Sequence, residues 1–345
     1  MLNSVKKIHF IGRRQGIFPF SNSKWFLENS RNGELAGIRK NSQLQIVNSI
    51  KKSDIIFIRN KPESTTDKQI QKIELIIKDV RTDRLVINDV QNFFKIDNKD
   101  LTFDIWKKNN VKCPDYCMLN PLNINKSLEK IKKMLSSKES VLLRINNRTG
   151  GTAMVKVDRN YSEENIINKL KRLNTNVINY RNIRAKTNIL AVEHINNGNG
   201  DYTHAFRAHI IEDEIISFYV AISKTLVVSM SKLTFDDLEE FIRINSKFIE
   251  LMQDTVFRKK ILKAIQSITN MGAVDFLLVN DEPIFLEINP IWKGNFFEKN
   301  FGNNKILLDW FYNKPDLEKV IPNVFQFKSP IQYWKNFYTI LQNKC

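Results

Sequence analysis

Three cysteines in 345 residues cannot build a disulfide framework. Cys113 and Cys117 stand close together without a second cysteine or histidine pair nearby, and Cys345 is the last residue, so zinc ligation is not indicated either. Histidine is as scarce. His9, His194, His204 and His209 show no metal-ligand spacing, and the last two, five apart, fall on opposite faces of a strand that carries both. They read as structural residues. No window approaches the roughly 18 uninterrupted apolar residues of a membrane span. The residues Met1 to Lys7 have no apolar stretch behind their lysines, so the chain reads as cytoplasmic. Long polar tracts and internal repeats are also missing.

What is present is the composition of a folded protein, 42% hydrophobic and 26% charged. The length exceeds the roughly 250–300 residues at which one core stops growing, which predicts two or three packed units. The net charge of +17 is unevenly spread: residues 1–200 hold 37 basic and 19 acidic residues, and residues 201–345 hold 17 and 18. Nucleic-acid binding would need such a basic surface. Many of these lysines, however, lie in helix-like stretches such as 126–138, where a solvated polar face accounts for them.

Apolar patterning predicts a small α/β domain over 1–90, with strands at 7–12, 54–59 and 85–88 and a helix over 68–80. The loop Gly12-Arg13-Arg14-Gln15-Gly16 lacks both the third glycine of a dinucleotide fingerprint and the Gly-Lys-Ser/Thr of a P-loop, and reads as a turn. A second unit is expected over 91–188. It has a helical stretch carrying Phe93, Phe94, Phe103 and Trp106, a lysine-rich helix near 124–137 and a hairpin of 141–145 with 153–157. A third unit is expected over 189–345, with strands at 189–195, 202–211 and 215–221. A helix over 235–267, a last hairpin over 272–290 and an aromatic-rich helical tail packed back on the body complete it.

That last hairpin is the most informative stretch. Val274-Asp275-Phe276 and Leu286-Glu287-Ile288-Asn289 flank the turn signal Asn280-Asp281-Glu282-Pro283. Folding about residue 281 sets Asp275 opposite Glu287, and Asn289 shares the face of Glu287. Like charges so close destabilise a hairpin unless something neutralises them. A hard divalent cation would do so, since Mg²⁺ takes oxygen ligands and combines one or two carboxylates with substrate phosphates. A slip of one residue would move Asp275 to the other face.

With Asp275 followed a dozen residues later by Glu287-Ile288-Asn289, the sequence resembles the ATP-grasp superfamily. Other landmarks fall in that family's order over about residues 88–295. Asn88-Asp89 followed by Asp97-Asn98-Lys99-Asp100 is similar to the segment with the first phosphate-binding lysine, a role that falls on Lys99. Val141-Leu142-Leu143-Arg144, then Gly150-Gly151-Thr152, resembles the strand and glycine loop over the phosphates. Ala191-Val192-Glu193-His194-Ile195 resembles the hinge strand whose backbone reads adenine, and Asp201 is a candidate for a ribose hydroxyl. The chain departs from the pattern at Arg144, where a lysine is usual, and at Thr203, where an arginine is common and Arg207 lies four further on. Lys224 is the nearest match to an arginine ending the next strand.

The resemblance implies a fold of mixed helix and sheet (α/β, α+β), with a small N-terminal domain followed by two ATP-clamping subdomains. It implies an ATP-dependent ligase. Asp275, Glu287 and Asn289 would hold Mg²⁺, or Mn²⁺ in its place, and Lys99 and Arg144 would neutralise phosphate. Arg207 and Lys224 are the candidates for gripping the carboxylate or the transferred phosphoryl group. The partners implied are a small-molecule or peptide carboxylate and an amine-type acceptor, anionic in keeping with the basic first two thirds. The rival readings are an ATP-binding module without ligase activity, a basic nucleic-acid-binding protein, and a phosphotransferase or acid–thiol ligase on the same scaffold.

Overall fold

The structure, a computed structural model, describes residues 8–12, 53–60, 65–120, 122–148, 154–181, 187–197, 201–225, 228, 233–290, 292 and 304–344. The expected turn after Gly12, with Arg13 and Arg14, lies outside them, as do Gly150, Gly151 and Thr152.

The apolar runs Ile8–Gly12 (β1), Ile55–Arg59 (β2) and Leu85–Ile87 (β3) pair in parallel in that order. Four consecutive residues of β2 are buried because both faces of the sheet are covered. Ile56 and Ile58 meet α1 (Asp67–Ile77), whose Ile70, Ile73 and Ile77 repeat at helical spacing behind a Thr66/Gln69 capping box. Ile55 and Phe57 face the C-terminal helix Pro330–Asn343 through Trp334 and Phe337.

The second sheet is antiparallel. It comprises Tyr116–Leu119 (β4), Ser140–Ile145 (β5), Met154–Asp158 (β6) and Ile189–Glu193 (β7) in the order β4-β7-β5-β6. The segment expected to open the third unit at residue 189 is therefore a central strand of the second. Ile189 to Val192 are all buried, as a strand paired on both edges and covered on both faces requires. Behind this sheet lie α2 (Phe93–Asp97) and α3 (Lys99–Lys108) on one side, and α4 (Ile124–Leu135) and α5 (Glu163–Tyr180) on the other.

Thr203–Ile211 (β8), Glu214–Ser223 (β9), Met271–Val279 (β10) and Glu282–Asn289 (β11) form the third sheet, antiparallel in the order β11-β10-β8-β9. One face packs on α6 (Leu238–Gln253) and α7 (Thr255–Gln266). The helix expected over 235–267 is broken because Asp254 adopts an extended conformation and its side chain caps the Val256 N–H at 2.8 Å. The aromatics near 91–110, assigned from sequence to the middle unit, divide among all three sheets: Phe93 joins the core of the first, Phe103 packs 5.3 Å from Tyr116 of the second, and Trp106 lies 5.8 Å from Phe285 of the third. The Trp106 indole is fully buried and donates to the Ala264 carbonyl at 2.8 Å. The tail is helical, and Pro330–Asn343 fills the space between the first and third sheets, with Phe337 stacked 5.8 Å from Phe57. Among the described residues no helix is long and apolar enough to cross a membrane.

Candidate functional site

The β10–β11 hairpin turns through Asn280 and Asp281, at φ of 52° and 61°, the geometry of a two-residue type I′ turn. Counted strictly from that turn, Asp275 would face Leu286, and the acids would lie on opposite faces. A bulge intervenes: pairing runs Val279 with Glu282 to Phe276 with Phe285, then shifts so that Asp275 pairs with Glu287. The cross-strand pair expected from sequence is present, but the turn is tighter and one extra residue, Leu286, restores the register.

Around this pair the structure gathers four polar side chains. Arg207, the direct neighbour of Asp275 on β8, grips it bidentately, Nε to Oδ1 and Nη2 to Oδ2, both at 2.5 Å. Asn289 places its Nδ2 3.0 Å from Asp275 Oδ2 and 3.4 Å from Glu287 Oε1. From the second sheet, Arg144 donates to Glu287 Oε2 at 3.1 Å, and Lys99 Nζ lies 3.5 Å from the same oxygen. Three cations thus meet two carboxylates where the second and third sheets face each other.

Lys99 reaches this point because the helical stretch expected to be continuous breaks at Asn98, extended at φ −95° and ψ 104°. The break makes Lys99 the first residue of α3. Its side chain is 3% exposed, and its ammonium donates to the Arg148 carbonyl at 2.8 Å, just past the end of β5. An amide network pins the same junction. Asn146 donates to Asp100 at 2.7 Å and Asn147 to Asn98 Oδ1 at 2.5 Å, while the Asp100 N–H returns to Asn146 at 3.3 Å. None of these four side chains was singled out from sequence. Asn98 and Asp100 flank Lys99, which is the one local signal; their partners lie 46 and 49 residues away.

Burial presses on every charge here. It pushes the Lys99 ammonium below its ordinary value, with repulsion from Arg144 adding to the effect. Burial is also the largest influence on Glu287 and pushes it up, yet Lys99, Arg144 and Arg207 together outweigh it and hold the carboxyl at about 2. Burial pushes Asp275 above its ordinary value, against the pull of Arg207.

The other expected residues lie elsewhere. Val141 of β5 pairs with Glu193 and Arg144 with Leu190, so Glu193 is three residues, roughly 10 Å, along the sheet from the charged cluster. Its N–H bonds to the Asp115 carbonyl at 2.8 Å, and its carboxylate accepts from Lys138 at 2.7 Å. The His194 N–H bonds to the Ser140 carbonyl at 3.2 Å, and its ring meets the Ser140 hydroxyl at 2.9 Å. The N–H groups of 193 and 194 are thus engaged within the protein. Asp201 is exposed just before β8. Lys224 is not brought to Arg207: it follows Ser223 at the far end of β9, five residues or roughly 17 Å along the sheet. There it packs 5.2 Å from the Tyr202 ring and 3.6 Å from Asp237.

His204 and His209 do face opposite ways. The former meets Glu240 at 2.6 Å and the latter stacks on Trp292 at 5.0 Å. Among the described residues no group of three or more histidine, cysteine, aspartate or glutamate side chains is placed to hold a metal ion.

No protein-family model matches the chain. No curated protein matches it by sequence. Solved structures do resemble it. The N5-carboxyaminoimidazole synthase of Aspergillus clavatus, in complex with ADP and 5-aminoimidazole ribonucleotide, is 13% identical with a TM-score of 0.53, over 96% of this chain and 80% of that one. The D-alanine–D-alanine ligase of Bacillus anthracis is 10% identical with a TM-score of 0.53, over 98% and 99%. An N5-carboxyaminoimidazole ribonucleotide synthetase in complex with ADP is 14% identical with a TM-score of 0.52, over 85% and 73%. Over these spans the chain has the ATP-grasp fold.

Proposed function

We propose that the chain is a cytoplasmic, Mg²⁺-assisted ligase that uses ATP to activate a carboxylate for attack by an amine-type nucleophile. The observation that carries this reading is the convergence of Lys99, Arg144 and Arg207 on Asp275, Glu287 and Asn289 between two sheets. Similarity in fold to a D-alanine–D-alanine ligase and to a synthase in complex with ADP supports it.

The donor set fits a hard divalent cation: two carboxylates and an amide, oxygen ligands only, on one face of a hairpin. Asn289 now turns its NH₂ toward the acids, and a rotation of the amide presents its oxygen instead. Asp275, Glu287 and Asn289 would hold such a cation, which would supply positive charge to offset that of the phosphates. The unliganded cluster carries three positive and two negative side chains, a net charge of about +1. That balance suits metal and nucleotide arriving together, since Mg-ATP brings about two negative charges whereas free Mg²⁺ adds two positive ones.

In this reading the base lies at Glu193, His194 and Ile195, and Asp201 serves the ribose. The phosphates lie at Lys99 and Arg144 under the loop of Gly150, Gly151 and Thr152. Lys99 and Arg144 hold charge in a fixed, desolvated place, so little reorganisation accompanies transfer. The substrate carboxylate attacks the γ-phosphorus, and the bond to the β-phosphate oxygen breaks as ADP leaves. Arg207 turns from Asp275 to the transferred group. The amine then attacks the acyl carbon, phosphate departs with the bonding electrons, and the amine loses its proton.

The test is isotopic. With ¹⁸O in the carboxylate, the label should appear in the released phosphate only when Mg-ATP, carboxylate and amine are all present. ATP binding without carboxylate-dependent phosphate release would favour a non-ligating ATP-binding module, a reading to which the full engagement of Arg207 by Asp275 lends support.

A further inference from the structure

A second concave surface lies on the other side of the middle sheet and takes no part in the proposed chemistry. It is a groove of about 530 Å³ between β6 and α5. Four cationic side chains line it, Arg148, Lys156, Lys169 and Arg172, together with Tyr161 and Asn176. No acid is among the described residues that line it. Lys156 has a neighbour in Asp158 at 3.0 Å, whereas Arg148, Lys169 and Arg172 form no ion pair among the described residues. Aromatic rings hold two of them in place: Lys169 lies 5.2 Å from the centre of Tyr161 and Arg148 5.3 Å from that of Tyr180.

The groove's other wall is a sheet edge. Among the described residues β6 ends the order β4-β7-β5-β6 and pairs only with β5, which leaves its outer row of peptide groups available to a further strand. A groove between an edge strand and a helix is the setting in which an extended peptide adds to a sheet, with main-chain bonds giving affinity and the helix side giving specificity. Here the helix side is basic. Lys169 and Arg172, three apart on α5, lie about 5–6 Å from one another. Every second side chain of an extended strand repeats at roughly 6.8 Å, a comparable spacing. Met154, Val155 and Leu173 add an apolar floor.

We propose that this groove docks an acidic peptide segment in extended form, added as a strand to β6 with alternate carboxylates facing Arg148, Lys169 and Arg172. The Arg148 carbonyl also accepts the Lys99 ammonium at 2.8 Å, so one residue touches both the docked segment and the charged cluster. This docking does not depend on the ligase reading.

The experiment uses the full chain and a fluorescein-labelled peptide alternating glutamate and valine, followed by anisotropy. Wild type should bind it saturably, and the doubly reversed variant Lys169→Glu with Arg172→Glu should lose at least about tenfold in affinity. A control with the same charge change at exposed positions, Lys126→Glu with Lys171→Glu, should change it less than about threefold. The same peptide N-methylated at alternate residues should bind poorly, because it cannot complete the strand. The proposal is overturned if wild type does not bind. It is equally overturned if the control loses as much as the groove variant, if N-methylation is without effect, or if a single-stranded oligonucleotide binds the groove more tightly than the peptide.

Discussion

Replacing Arg207 by alanine removes the cation that now occupies both oxygens of Asp275. Breaking a buried ion pair by deleting one partner costs about 3–5 kcal/mol, and the lower end applies because the Arg207 side chain keeps 31% of its surface in solvent. The variant should therefore be less stable than wild type by about 3 kcal/mol in metal-free buffer. In wild type a divalent cation must displace that guanidinium from a cluster already net positive; in the variant both obstacles are gone. Since 1.4 kcal/mol is a factor of ten, the same 3 kcal/mol should strengthen Mn²⁺ binding without nucleotide by on the order of 10²-fold. Titration calorimetry with Mn²⁺ alone measures this, and circular dichroism establishes that the variant is folded. A folded variant whose Mn²⁺ affinity equals that of wild type would refute the reasoning that Arg207 stands in for a cation at Asp275.

Gly272→Ala should destabilise by roughly 1–3 kcal/mol, because its Cβ would lie 2.6 Å from Ile288 Cγ2 and 3.0 Å from Ile265 Cδ1. Denaturant unfolding checks this. Asn146→Ala should cost about 1–3 kcal/mol by stranding the buried Asp100 carboxylate, and should weaken ATP binding as Lys99 loosens; melting curves and nucleotide titration read the two effects. Acid should destabilise the fold from about pH 6.5 downward. Burial pushes the His204 imidazole below its ordinary value of 6.5, although it bonds to Glu240. With its folded value below its unfolded one, the native state binds fewer protons, so this contribution is complete above about 6.5 and is lost as the pH falls through the folded value. His204→Gln should flatten the decline in melting temperature between about pH 7.5 and 5.5; a decline as steep as that of wild type would count against it.

The acidic hairpin was legible because alternation and a polar turn are local signals. Even there the agreement on Asp275 and Glu287 depended on a bulge at Leu286 that no local pattern announces. Arg207 and Asp275 were both singled out, but not as a pair, since sequence order does not say that β8 lies beside β10. Lys224, matched by its place at the end of the next strand, does follow β9, but roughly 17 Å along the sheet from Arg207. The helix break at Asp254 carries a capping side chain that a long apolar period masks, and the break at Asn98 has no side-chain cap bond to announce it. The unit boundary at 189 missed because β7, apolar from Ile189 to Val192, fits a central strand of either sheet until its partners are known.

The most direct measurement is thermal unfolding with and without Mg-ATP, on wild type and Glu287→Ala. A ligand at ~100 times its dissociation constant adds about 2.7 kcal/mol. Wild type should gain stability from Mg-ATP, more than from ATP with chelator or from Mg²⁺ alone, and Glu287→Ala should gain almost none. If wild type fails to respond, or the variant responds as fully as wild type, the cluster at Glu287 is not a nucleotide–metal site.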